Sequence, residues 1–279
     1  MIKIMTDLSA DITREESERL NIAVLPFYIN CGEESVLADI NYTPQMFYEK
    51  FKASEEPPRT SQATPEILEN MYRELGNEEP IIHITIPANS SGIVNTARMV
   101  SAQLNEEEGF DITVLDSSMY SYGIGANVVR AAEMAKDGAS KEEICAFLKE
   151  RFEKDRVYFI VDDLSHLKRG GRIKATTMVI SEVLDIKPIL WSNDGMVEAF
   201  AKVRGIKKAM SKIVDIIEEN IADGTKVCVL HADALDKAET MSRMIEARIG
   251  EGRTYIHEVG PIITCHAGVG VFGIYFEHK

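Results

Sequence analysis

The chain has 279 residues, enough for one large domain or two modest ones, and 45% hydrophobic with 27% charged residues is ordinary globular composition. A net charge of −14, from 31 basic and 45 acidic residues, makes a surface that repels nucleic acid and anionic membranes. The four cysteines (Cys31, Cys145, Cys228 and Cys265) are scattered without a Cys-x-x-Cys pair, which excludes a disulfide framework or a zinc site.

The opening residues carry no signal-like apolar region, and no apolar run approaches the ~18–20 residues of a membrane span, so stable membrane insertion is not expected and the cytoplasm is the expected compartment. Ile2–Thr6 reads as a buried strand ending at Asp7-Leu-Ser9. A second strand is expected over Ile22–Ile29. Thr43-Pro44 and Thr64-Pro65 are both N-cap-plus-proline helix starts, and after the second Leu68, Met71 and Leu75 share one helical face. Pro80–Thr85 is a strand, and Gly92–Leu104 a helix with Ile93, Ala97, Val100 and Leu104 on one side. The strand Asp111–Leu115 and a helix over Tyr122–Lys136 follow. Ser140 and Glu143 form a capping box ahead of Ile144, Phe147, Leu148 and Phe152.

This alternation predicts an α/β domain with a mainly parallel sheet over residues 1–155, and the charged stretch Glu150–Arg156 marks its end. A second α/β domain over 156–279 starts with the strand Val157–Val161 and a basic loop, Lys168–Lys174. Lys187–Trp191 and Met196–Val203 flank Asn193-Asp-Gly195, a hairpin signal. Helical stripes at Ile206, Met210, Ile213 and Ile217, and at Leu235, Met241, Ile245 and Ile249, flank the strand Lys226–Leu230. A last β segment ends in Gly273–Glu277. Ligand space is expected between the two domains, where loops at the carboxyl ends of strands converge.

Four features could carry chemistry. Thr60-Ser61-Gln62 could donate hydrogen bonds to an anion or serve as turn and cap residues. Asn89-Ser-Ser-Gly92 joins a strand to a helix, where a hydroxyl and free backbone N–H groups suit a carboxylate or phosphate. His266 lies in an apolar run read as strand, with Gly268 and Gly270 leaving the backbone open to close approach. The cluster Lys168, Arg169, Arg172 and Lys174, with Arg204 beyond the hairpin, is locally unusual in so acidic a chain. Gly268-x-Gly270-x-x-Gly273 spells a dinucleotide fingerprint, but too little chain follows it to supply the required helix. Neither a phosphate-binding P-loop nor a Gly-x-Ser-x-Gly elbow is present.

Taken in order, these segments resemble the DegV family. The matching landmarks are Ile4-Met-Thr-Asp7-Leu-Ser9, Thr60-Ser-Gln62, Ser91-Gly92 with Asn95-Thr-Ala97, and Val114-Leu-Asp-Ser117. Later come Leu164–Ile173, Lys187-Pro188, Asp194-Gly195 and the Gly-Pro…His-x-Gly-x-Gly close at Gly260–Gly270. The resemblance implies a two-domain α/β fold with an acyl tail in an apolar tunnel and its carboxylate at the interdomain mouth. It implies a carrier without activity, cofactor or metal of its own, which presents a long-chain fatty acid to an ATP-dependent fatty-acid kinase. Carried over by position, Thr60, Ser91 and His266 would hold the carboxylate, with Ser61, Gly92, Ser117 and Gly268 nearby. Arg172 and Arg204 would meet the acyl phosphate or the kinase. Ile93, Ala63, Ala267 and Val269 depart from the family's usual residues and would alter pocket shape. The alternatives are an enzyme acting directly on a small anion through the basic loop, or a lipid-responsive regulator with no kinase. A protonated His266 would hold a carboxylate more tightly, and less well at high pH.

Overall fold

The computed structural model of the protein describes residues 1–178, 186–193 and 195–279. The first half builds two sheets. β1 (Lys3–Asp7), β2 (Ala23–Leu25), β6 (Ile81–Thr85) and β7 (Ile112–Asp116) form an all-parallel sheet in the order β2-β1-β6-β7. Its connections are α1 (Arg14–Leu20), α3 (Pro65–Leu75) and α4 (Ile93–Glu108), with α5 (Tyr122–Lys136) and α6 (Lys141–Lys154) following. The start signals operate as expected: Thr64 caps the helix that Pro65 opens, and Ser140 and Glu143 cap each other. Ile93, Ala97, Val100 and Leu104 all face inward on α4.

The single strand expected over Ile22–Ile29 is two strands. Pro26 has no N–H for a ladder, so pairing with β1 stops at Leu25. The chain then enters β3 (Phe27–Cys31), the centre of a separate antiparallel sheet with β4 (Glu34–Ala38) and β5 (Arg59–Ser61). Gly32, at φ 58°, makes the tight turn between β3 and β4. Between β4 and β5 runs α2 (Pro44–Ala53), capped by Thr43.

Among the described residues, every strand from Arg156 onward enters one six-stranded sheet, ordered β10-β9-β8-β13-β11-β12. These are β8 (Arg156–Ile160), β9 (Ile186–Asn193), β10 (Met196–Arg204), β11 (Val227–His231), β12 (Thr254–Glu258) and β13 (Phe272–Phe276). Among the described residues, only β11 and β12 of this sheet pair as parallel strands. The expected hairpin joins β9 to β10, with Met196 opposite Asn193; Asp194 lies outside the described residues. Part of the expected basic loop is helical: α7 (Ser165–Gly170) ends at Gly171, and α8 (Ala175–Met178) follows. α9 (Ile206–Asn220) and α10 (Leu235–Ile249) cover one face of the sheet, although Leu235 is exposed rather than inward. The other face shares a continuous buried core with the first half, reaching from Ile4 on β1 to Tyr275 on β13.

Inside the parallel sheet, fully buried His83 has its Nδ1 2.6 Å from the Tyr72 hydroxyl, and its Nε2 has no partner. Burial depresses the imidazole pKa from 6.5 to about 3. The folded pKa lies below the unfolded one, so this ring's contribution is present above about pH 6.5 and is lost as pH falls toward about 3. Replacing both partners, as Tyr72→Phe with His83→Leu, should flatten the decline of stability across that window by up to one proton, about 1.4 kcal/mol per pH unit. Urea midpoints at several pH values measure this, and an unchanged pH slope would show that His83 titrates normally.

Candidate functional site

Helix α11 (Pro261–Ala267) creates the site. Gly260 is extended as its N-cap and Pro261 occupies the first turn, the same signal that opens α2 and α3. His266 therefore sits in the last turn of a short helix and not in a strand, which corrects the sequence expectation. The Gly-Pro start outweighs the apolar run that follows it. The helix stops at Gly268, whose φ of 82° suits glycine. A Cβ there would approach His166 Cδ2 to 2.8 Å, so Gly268 makes room for His166 and does not line the cavity.

His266 Nε2 lies 2.9 Å from Thr60 Oγ1, a bond between residues 206 positions apart. β5 delivers Thr60. Strand alternation turns Thr60 inward opposite Ile29, while Arg59 and Ser61 face out. Ser61 is consequently exposed, accepts from Asn30 Nδ2 at 3.1 Å and does not line the cavity. On the other side of the ring, Gly170 closes α7 so near that a Cβ would stand 2.5 Å from His266 Nδ1. Arg172 follows the left-handed Gly171 and is held by its Nε on the Ser90 carbonyl at 3.0 Å and by Nη1 on the Gly170 carbonyl.

Ser90 and Ser91 precede α4. Ser91 Oγ accepts weakly from Ile93 N at 3.4 Å, and Gly92 occupies the N-cap position without a side-chain cap bond. Gly92 has its own reason to be glycine, because a Cβ would meet Gln62 Oε1 at 2.7 Å while Gln62 Nε2 donates to Thr96 at 2.8 Å. Tyr120 donates to the Gly195 carbonyl at 2.7 Å.

Thr60, Ser90, Ser91, Tyr120, Arg172 and His266 form part of the lining of one cavity. Most of the remaining lining is apolar, including Phe27, Val157, Phe159, Leu230, Ile262 and Val271. Ser117 is fully buried and its Oγ accepts from Met119 N at 3.3 Å, outside the lining. Arg204 is exposed at the end of β10 opposite Ile186, also outside it. The sequence reading held Ser90 within the Asn89–Gly92 segment and Gly170 within the basic loop without giving either a role of its own, and it missed Tyr120.

Burial and, after it, the nearby Arg172 charge together lower the His266 pKa to about 4. The ring is therefore neutral near pH 7, and the positive charge in this wall is that of Arg172. A wall with one cation, hydroxyl donors and an imidazole, facing an apolar chamber, suits a carboxylate attached to a long apolar tail. Among the described residues, no group of three or more His, Cys, Asp or Glu side chains could hold a metal ion, and no helix is long and apolar enough to cross a membrane.

A model of the DegV family, described as uncharacterised protein, matches residues 1–279. Protein DegV of Bacillus subtilis is 33% identical over 277 residues, covering 98% of each chain. A DegV domain-containing protein of Halalkalibacterium halodurans is 32% identical, covering 98% of this chain and 97% of the relative. Two solved structures superpose along the whole chain. DegV of Bacillus subtilis, described as a fatty acid binding protein, does so with TM-score 0.89 and 31% identity, covering 100% of this chain and 99% of the other. A DegV family protein of Thermus thermophilus, described for its fatty acid binding, gives TM-score 0.88 and 30% identity with the same coverage.

The His266 ring should be neutral at pH 6, where an ordinary histidine is mostly protonated. Arg172→Gln should raise its pKa part of the way toward 6.5. The imidazole proton shifts in NMR measure both, and a wild-type titration near 6.5 would contradict the desolvated, cation-flanked ring.

Proposed function

The chain belongs to the DegV family, and we propose that it is a carrier that holds one long-chain fatty acid and presents the carboxylate to an ATP-dependent fatty-acid kinase. One observation carries the reading: an apolar cavity lined by Thr60 bonded to His266, by Arg172 bonded to the Ser90 carbonyl, and by Ser91. The description of two relatives, each at least 30% identical, as fatty acid binding supports it. Residues 1–155 and 156–279 are read as the two domains, a division supported by the change of sheet at Arg156.

In this reading the carboxylate accepts from the hydroxyls of Thr60 and Ser91 and from an N–H of neutral His266, with Arg172 supplying the opposite charge. A bound carboxylate would also offset the repulsion that disfavours a proton on His266, so the ring's pKa rises on binding. The tail supplies most of the affinity, at about 0.8 kcal/mol for each buried CH₂. The chain itself is read as non-catalytic: the partner kinase brings ATP, and the carrier retains the acyl phosphate by its tail. Arg172 borders the position where that phosphate would form. Arg204, exposed and away from the cavity wall, fits a contact with the kinase better than one with the ligand.

Lipid extraction and mass spectrometry of freshly purified protein should recover one fatty acid per chain. A protein that carries none, and takes up none when fatty acid is added, would remove the proposal. His266→Ala and Thr60→Val should each weaken binding by about ten-fold with little change in melting temperature, since each deletes one charge-assisted hydrogen bond. Gly170→Ala, which touches no ligand, should have a similar effect by displacing the His266 ring. Unchanged affinity in all three would place the carboxylate elsewhere.

A further inference from the structure

One polar side chain in the cavity has no part in the wall described above. Ser121 lines the cavity at the head of α5, with φ 55° and ψ −145°, close to a backbone region that only glycine enters without strain. Its Oγ lies 2.6 Å from Oδ2 of Asp11, a buried residue that is itself left-handed at φ 53°. The other carboxyl oxygen, Oδ1, is buried and without a hydrogen-bond partner. The Gly260 amide is near enough to lower the Asp11 pKa but lies outside hydrogen-bond geometry.

This pair sits at the opposite end of α11 from His266. Asp11 packs against Gly260, where a Cβ would collide with Oδ1. His266 comes six residues later, roughly 9 Å along the helix at 1.5 Å per residue. Val259 and Ile262, on either side of Gly260 in sequence, line the cavity there. Ser121 thus borders the chamber beside apolar side chains, where a plain acyl tail has nothing to offer a hydroxyl.

We propose that Ser121, backed by Asp11, is a second polar subsite that takes an alcohol on the acyl chain, so that the cavity accepts a hydroxylated long-chain fatty acid. The proposal rests on the fatty-acid reading above. An alcohol is the matching group because it both donates and accepts. If Ser121 gives its proton to the Asp11 carboxylate, Oγ still accepts from the ligand. If Asp11 carries the proton and gives it to Ser121, the serine O–H is free to donate. Burial pushes the Asp11 carboxyl up to about 7, so both arrangements are populated near neutral pH. An unsubstituted chain leaves the Ser121–Asp11 bond intact and loses nothing, so the subsite adds a ligand without excluding the plain acid.

The test uses delipidated full-length protein, octadecanoic acid and a set of its monohydroxy isomers, with affinities read by displacement of a fluorescent fatty acid. In the wild type, an isomer with the hydroxyl at one interior position should bind at least as tightly as octadecanoic acid. Ser121→Gly, which relieves the backbone strain, should weaken that isomer by roughly ten-fold while keeping octadecanoic acid within about two-fold. Ser121→Ala, which keeps a side chain, should give the same selectivity loss and so exclude a backbone effect. If every isomer binds the wild type more weakly than octadecanoic acid, and by the same factor in both variants, Ser121 only ties two strained turns together and the subsite is refuted. Failure of octadecanoic acid itself to bind would instead overturn the fatty-acid reading on which the subsite depends.

Discussion

The bond between Thr60 and His266 is the constraint around which the site is organised. A hydroxyl and an imidazole at the edge of an apolar chamber each need a partner, and each is the other's until a ligand arrives. The bond also decides how the molecule must be assembled. Thr60 comes from the small antiparallel sheet of the first half, and His266 from a helix inserted between strands of the second. The site therefore exists only when both halves have packed, and the shared core from Ile4 to Tyr275 supplies that packing. Arg172 makes a parallel connection from α7 to the Ser90 carbonyl before α4.

The electrostatics of the site run against those of the whole chain. A protein of net charge −14 repels anions at a distance, yet the cavity wall presents Arg172 beside a neutral imidazole. Long-range steering would not favour the proposed fatty acid, so its affinity would arise at contact, from burial of the tail and short hydrogen bonds. That division of labour would let few polar groups suffice at the head. His266 is better neutral than charged on the same grounds: a second cation beside Arg172, largely out of water, would be costly without an anion to meet it.

Much of this was legible in the sequence where one local rule acted alone. The stripe Ile93, Ala97, Val100 and Leu104 identified a buried helix face, and Thr64-Pro65 and Ser140 with Glu143 identified helix starts. Thr60, Ser91, Arg172 and His266 were recognisable through the order of family-like segments, and all four line the cavity. What escaped depends on long-range pairing. Nothing local distinguishes Arg59–Ser61 as a strand, because its reason to be one is β3, thirty residues away in sequence. Ser61, Ser117, Gly268 and Arg204 share the family's positions but not the cavity wall, since strand alternation, burial or chain direction carries them elsewhere. Leu235 fits the apolar stripe of α10 and is still exposed, because it stands at the first turn, before the helix meets the sheet.

Helix α11 shows how a short motif can do several jobs. Gly260-Pro261 converts an apolar run into a helix, so that His266 projects from a last turn instead of alternating along a strand. Gly260 also lacks the Cβ that would collide with Asp11, which lets the buried Asp11–Ser121 pair lie against the helix start. Gly268 stops the helix and makes room for His166 from α7, the same helix whose Gly170 abuts the His266 ring. The two glycines thus set the helix length, and that length sets the separation between the Thr60–His266 bond and the Asp11–Ser121 pair. A one-residue change between Gly260 and Gly268 would rotate His266 by about 100° around the helix axis, away from Thr60. The spacing holds His266 against Thr60 at one end of the helix and Gly260 against Asp11 at the other.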